Sequence, residues 1–256
     1  MNNFLASIRR HSMRFWWWHL VLPLGLGLLL WQIYPATGID QIIQSWYYDP
    51  ATHTFPLRNE PWLTIGMHSA LKMLVIAFGV AVFGAWTVSF LEPALQPERR
   101  RLGWIWISMA ITSVVISTLK GASIHHCPWD LLEYGGYAPH LALFEALPAG
   151  IEPGHCFPGG HASAGFVLLA FYFAWRDDRP VAARVALIGG LALGAVMGWS
   201  QTMRGAHFLS HTLWSAWVVW LLLLLGYLTF SPQLCTKHCA CEDDAQPVPA
   251  AVGMSK

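Results

Sequence analysis

Six apolar runs divide the chain, approximately from Phe15 to Tyr34, Met73 to Leu91, Leu102 to Leu119, His161 to Trp175, Val185 to Gln201 and Ser210 to Phe230. At 1.5 Å of rise per helical residue, runs of this length reach across a hydrocarbon layer of about 30 Å, and the fourth is the shortest. The pattern predicts an all-α, polytopic membrane protein folded as a bundle of six transmembrane helices. Past Ser231, Pro, Ala and acidic residues replace the apolar pattern. Residues 1–230 are therefore read as one helical membrane domain and 231–256 as a disordered cytoplasmic tail. No sustained repeat interrupts this organisation.

Composition narrows the class further. With 55% hydrophobic and 11% charged residues over 256 positions, the chain has too little polar surface for a soluble globule. The net charge of +1 carries little information; its distribution carries more. Arg9, Arg10 and Arg14 precede the first run, Arg99, Arg100 and Arg101 fall between the second and third, and Arg176, Arg179 and Arg184 fall between the fourth and fifth. Short basic loops stay cytoplasmic, so both termini are expected on that side and roughly 36–72, 120–160 and 202–209 on the other. Trp16, Trp17, Trp18, Trp62, Trp104 and Trp199 suit interfacial belts. The first run is longer than a signal-peptide core and is read as an uncleaved anchor. Nothing in the charge pattern suggests nucleic acid.

Nine of the twelve histidines fall on the outer side or at its edge. Ionisable groups at membrane depth are expensive and usually functional. His207 and His211, four apart, share one helix face, so one ring can orient the other. Lys120 ends the third run, Phe157-Pro158-Gly159-Gly160-His161 opens the fourth, and Ser200-Gln201 ends the fifth.

On these residues the chain resembles the type-2 phosphatidic acid phosphatase superfamily, over roughly residues 100–230. The family's first motif, a Lys followed after six residues by Arg-Pro, is matched by Lys120 and Cys127-Pro128. The second, Pro-Ser-Gly-His, is matched by Pro158-Gly159-Gly160-His161. The third, Ser-Arg, five residues, His, three residues, Asp, is matched by Ser200-Gln201, His207 and His211. Order, spacing and both key histidines agree. Cys127, Gly159, Gln201 and His211 replace Arg, Ser, Arg and Asp.

The resemblance implies a membrane phosphatase that hydrolyses a lipid phosphomonoester or diphosphate at the outer face, without cofactor or metal. His207 would be the nucleophile that becomes a phosphohistidine, and His161 the acid that protonates the leaving group. Phosphoryl transfer asks for positive groups and donors around the equatorial oxygens. Lys120, Arg204 one turn before His207, the amides of Gly159 and Gly160, Gln201 and His126 are the candidates. His211 offers His207 no negative charge, so the expectation is a slower enzyme or one in which Asp130 or Glu133 takes the carboxylate's place. Resemblance and orientation together point to a bacterial inner membrane with the site facing the periplasm. The substrate partner expected is a membrane lipid phosphate; oligomeric state is left open.

Cysteines divide by side. Cys127 and Cys156 lie outside, each beside a motif, and are expected to form a disulfide, which explains why a Cys can stand where a phosphate-binding Arg is usual. Closing a loop of about thirty residues stabilises by on the order of 3 kcal/mol in the chain-entropy picture. Cys235, Cys239 and Cys241 fall in the tail and are read as reduced thiols. Lys72 and Arg58 are read as a snorkelling cation and a headgroup contact. Two alternatives stay open: a lipid phosphotransferase using the same site, and a histidine-rich haem or metal carrier without enzymatic activity.

Overall fold

The computed structural model describes residues 11–232, and no β-strand forms among them. Arg9, Arg10, the tail and its three cysteines lie outside the described residues. Five helices are long and apolar enough to cross a membrane: α1 (Met13–Gln32), α3 (Trp62–Val88), α4 (Pro93–Gly121), α7 (Pro180–Met203) and α8 (Leu209–Thr229). A short α2 (Ile39–Ser45) lies between α1 and α3.

The fourth apolar run, expected to be the shortest, does not form a single membrane-length helix. It consists of two short helices, α5 (Gly160–Phe166) and α6 (Leu169–Trp175), reaching about 24 Å end to end. Its side chains explain why it tolerates being short. Ala162, Leu169, Ala170 and Phe173 are almost wholly buried, whereas Leu74 and Val80 of α3 are about two-thirds exposed, as lipid-facing residues are. The α5–α6 segment is the centre of the bundle, enclosed by α4, α7 and α8.

The second span also differs from the expectation, starting at Trp62 and not near Met73. His68 and Lys72 dilute the hydropathy of its first turns, yet Trp62, Leu63, Ile65 and Met67 continue the apolar character, and Pro61 precedes the helix in a conformation its ring favours. The segment that carries His68 is thus helix, not loop.

Inside lipid, apolar burial gives little drive for helices to associate, so close backbone approach through small residues takes over. A Cβ placed on Gly165 of α5 would lie 2.5 Å from the backbone nitrogen of Gly194 in α7, and one on Gly194 would lie 2.1 Å from the Phe166 ring. A Cβ on Gly198 would meet Thr212 of α8 at 2.4 Å. These contacts bring the polar ends of α5, α7 and α8 together.

The two ends of the bundle differ in chemistry. Arg101 in the first turns of α4 and Lys120 in its last turn are separated by about 29 Å of helix. At the Arg101 end, Arg101 binds Glu98 at 2.6 Å and also Asp178, while Arg179 binds Glu98, which ties α4 to the α6–α7 connection. At the Lys120 end lie His68, His161, His207 and His211.

Candidate active site

His207 owes its position to the way α7 ends. Gly205 adopts φ +70°, and the amides of Gly205 and Ala206 donate to the carbonyls of Thr202 and Gln201 at 3.0 and 2.9 Å. This is a Schellman closure, which stops the helix and releases the chain at a defined angle. A Cβ on Gly205 would meet the Phe55 ring at 2.5 Å, so glycine is required there twice over. Two side chains of α2 then fix the path of the chain into α8. Buried Gln44 donates through Nε2 to the His207 carbonyl at 2.9 Å, and Asp40 accepts from the Ser210 amide at 3.0 Å and from the Tyr34 hydroxyl at 2.9 Å.

The imidazole of His207 is buried, with Nδ1 3.3 Å from His211 Nδ1 and 3.4 Å from Cys156 Sγ. His161 opens α5, donates through Nε2 to the His68 carbonyl at 2.8 Å and stacks on the His68 ring with centroids 3.6 Å apart. Lys120 lies over Gly160: a Cβ there would come within 3.6 Å of Lys120 Cδ. Burial first, then the fields of His211, Lys120, His161 and His68, hold His207 well below its ordinary value. The fold therefore gathers His207, His211, His161 and Lys120 from four helices or their ends.

The motif departures acquire a geometry. Arg204 donates through Nη1 to Gln201 Oε1 at 3.0 Å and through Nε to the Arg58 carbonyl at 2.9 Å, and its Nη1 lies 3.4 Å from His68 Nδ1. Gln201, 2% exposed, spends its carbonyl on Arg204 and its amide on Ser200 Oγ at 3.1 Å. Gln201 thus holds the guanidinium in place and does not itself present donors to a phosphate. Gly159 also departs from the expectation, because its amide is committed to the His211 carbonyl at 3.3 Å.

His126 is buried with its ring edge-on to Tyr137 at 5.6 Å, and it lines a cavity that His211 also lines and Lys120 does not. Asp130 accepts from Trp129 Nε1 and Glu133 pairs with His140, so neither stands behind His207. The acid that the fold brings to the start of α8 is Asp40.

Cys127 and Cys156 form the expected disulfide, with Cα atoms 5.2 Å apart and a sequence separation of 29. The amides of Gly154 and Cys156 donate to the carbonyls of Ile124 and His125 beside it, joining the first-motif loop to the second-motif turn. Arg58 stacks over Trp129 at 4.2 Å.

Two cavities flank the histidines. A groove of about 460 Å³, lined by Lys72, Val80, Met109, Ile116, Lys120 and His161 among others, lies between α3 and α4. A larger cavity of about 640 Å³ is bordered by His125, His126, His211, Phe157 and Trp214 among others. Sequence reasoning missed His68, Gln44 and Asp40, and it gave Lys72 no role at the site. The spacing of four between His68 and Lys72 was the only local signal.

A multi-pass helical membrane protein with histidines and cations gathered at one end of its bundle is the class these features define. The PAP2 superfamily model matches residues 101–234, just over half of the chain and the whole span of the three motifs. The chain belongs to the PAP2 superfamily, and membership implies phosphatase-type activity on phosphate esters. No curated protein and no solved structure matches it significantly.

Proposed function

We propose that the protein is a lipid phosphate phosphatase whose site faces the outer side of its membrane and works through a phosphohistidine on His207. The observation that carries this reading is the meeting of Lys120, His161 and His207 at the end of the bundle opposite the arginine clusters, beside an apolar groove that opens between two lipid-exposed helices. A lipid held by its chains in that groove would present its phosphate to Lys120.

In the chemistry proposed, neutral His207 keeps its Nδ1 proton toward His211 and attacks phosphorus through Nε2. Lys120 and Arg204 draw charge from the equatorial oxygens. His161, whose Nε2 proton is occupied by the His68 carbonyl, delivers a proton from Nδ1 to the departing oxygen. Water then attacks the phosphohistidine, His161 takes its proton, and inorganic phosphate leaves. His211 accepts a hydrogen bond while neutral and supplies no charge, so turnover slower than with a carboxylate is expected. The larger cavity beside His211 favours one second reading, in which a hydroxyl acceptor replaces water. Family membership favours either over a haem or metal carrier.

The test is phosphate release from lipid phosphates of several classes by purified protein and by His207→Ala. Loss of at least about 10³-fold in the variant is expected. Undiminished release by the variant would refute the assignment of His207, and lipid products carrying the phosphate would favour transfer.

A further inference from the structure

Cys156 Sγ and one ring nitrogen each of His207 and His211 all lie within 4.8 Å of one another, and all three residues are buried. The two edges that touch His207 are 3.3 Å between nitrogens and 3.4 Å between sulfur and nitrogen. A tetrahedral zinc ion with bonds of about 2.05 Å to nitrogen and 2.3 Å to sulfur separates its ligands by about 3.3 Å and 3.5 Å respectively. Those two edges match a metal's demands, but in the disulfide Cys156 carries no thiolate and is a poor ligand.

We propose that reducing the Cys127–Cys156 disulfide uncovers a zinc site made by the Cys156 thiolate and the Nδ1 atoms of His207 and His211, and that zinc bound there inhibits the enzyme. One thiolate with two imidazoles selects a borderline-soft ion such as zinc over magnesium or calcium. Cys156 is wholly buried while Cys127 is partly exposed, so a dithiol attacks Cys127 Sγ. The attack forms a mixed disulfide and expels Cys156 as the thiolate. The second thiol of the reductant then displaces Cys127 as a thiol, and the dithiol leaves as its own disulfide, two electrons having passed to the protein. The ion reaches the three ligands through the larger cavity, which His211 borders, and water completes its coordination.

Inhibition rests on the role proposed above for His207; the binding of zinc does not. A metal on Nδ1 displaces the proton that points to His211 and draws electron density from the ring, so Nε2 becomes a weaker nucleophile.

The experiment measures zinc per chain after gel filtration of the full-length protein in detergent. It compares Cys127→Ser, in which Cys156 is permanently a thiol, with Cys127→Ser/Cys156→Ser. Both retain the three tail cysteines, so their difference reads this site alone. Cys127→Ser is expected to hold one more zinc ion than the double variant, to show a sulfur-to-cobalt charge-transfer band when cobalt replaces zinc, and to lose most of its phosphatase activity when zinc is added. Oxidised wild type should keep its activity in the same zinc.

If Cys127→Ser does not fold, wild type and Cys156→Ser, both treated with a phosphine reductant, give the same comparison. Equal zinc content in the paired proteins would overturn the site whether or not either is active. Zinc that binds and leaves phosphate release unchanged would overturn the inhibition. Absence of lipid phosphatase activity from oxidised wild type would count against the proposed function, with the zinc difference still deciding the site.

Discussion

Gln201 and Arg204 show how one side chain can keep a site polarised after its usual residue has been replaced. The guanidinium of Arg204 is held by two acceptors, Gln201 Oε1 and the Arg58 carbonyl, so it keeps free donors in a fixed direction. Removing one hydrogen bond to a charged group costs about 1.5–3 kcal/mol. Gln201→Ala should therefore lower kcat/KM by about ten- to a hundredfold, with Arg204 still present but poorly aimed. Steady-state kinetics on the best lipid phosphate checks this, and Gln201→Glu, which keeps the acceptor, should retain most of the activity.

His207 makes a second prediction at the same scale. Burial is the main reason it is held well below its ordinary value of about 6.5, with His211, Lys120, His161 and His68 adding to the effect. The native protein therefore keeps this ring neutral over a range of pH in which the unfolded chain protonates it. The unfolded state binds the extra proton as pH falls below about 6.5, so stability contributed by the neutral ring is complete above that pH and is lost on acidification toward the native value. Melting temperature measured from pH 7.5 down to pH 5 should fall less steeply in His207→Gln than in wild type. The acid limb of kcat/KM should likewise lie below pH 6.5.

Helices were legible to the extent that hydropathy alone decides them. Val185 to Gln201 and Ser210 to Phe230 reappear as α7 and α8 with ends moved by a few residues, because long uninterrupted apolar stretches have no other fold in lipid. The start of α3 was not legible, since His68 and Lys72 look like loop residues until something on another helix receives His68. That receiver is His161, 93 residues away, and no local pattern announces a contact of that separation.

Pairing of Cys127 with Cys156 was legible because the expected topology left them alone together on one side. Small residues at the α5–α7 contact were visible as glycines but not as partners. Gly165→Val tests that contact: its side chain would meet the Gly194 backbone, which cannot give way as a flexible side chain can. Overpacking of this kind costs about 1–3 kcal/mol. A lower melting temperature in detergent is expected, with activity reduced because α5 carries His161.

At the scale of the whole molecule, the bundle separates two kinds of polarity by the length of α4. Arginines paired with Glu98 and Asp178 hold one end, and cations with histidines and open donors hold the other. Between them the groove of α3 and α4 runs past Val80, Gly79 and Met109 toward Lys120 and His161. Its walls are apolar where acyl chains would lie and cationic where a phosphate would lie, which is the reason for preferring a lipid over a soluble ester.

Gly79 faces this groove with room to spare, since a Cβ there would come no closer than 3.7 Å to Met109 Cε. Gly79→Trp should fit at the lipid-facing surface and fill the channel without touching any histidine. If chains enter here, kcat/KM for a long-chain lipid phosphate falls by about tenfold or more, which corresponds to roughly 1.4 kcal/mol of lost transition-state stabilisation. Hydrolysis of a short, water-soluble phosphate monoester should stay within about twofold of wild type, because the cations and imidazoles are untouched. Equal losses on both substrates would mean that the introduced indole disturbs the site itself, and equal retention of both would direct the search for the lipid path to the larger cavity beside His211.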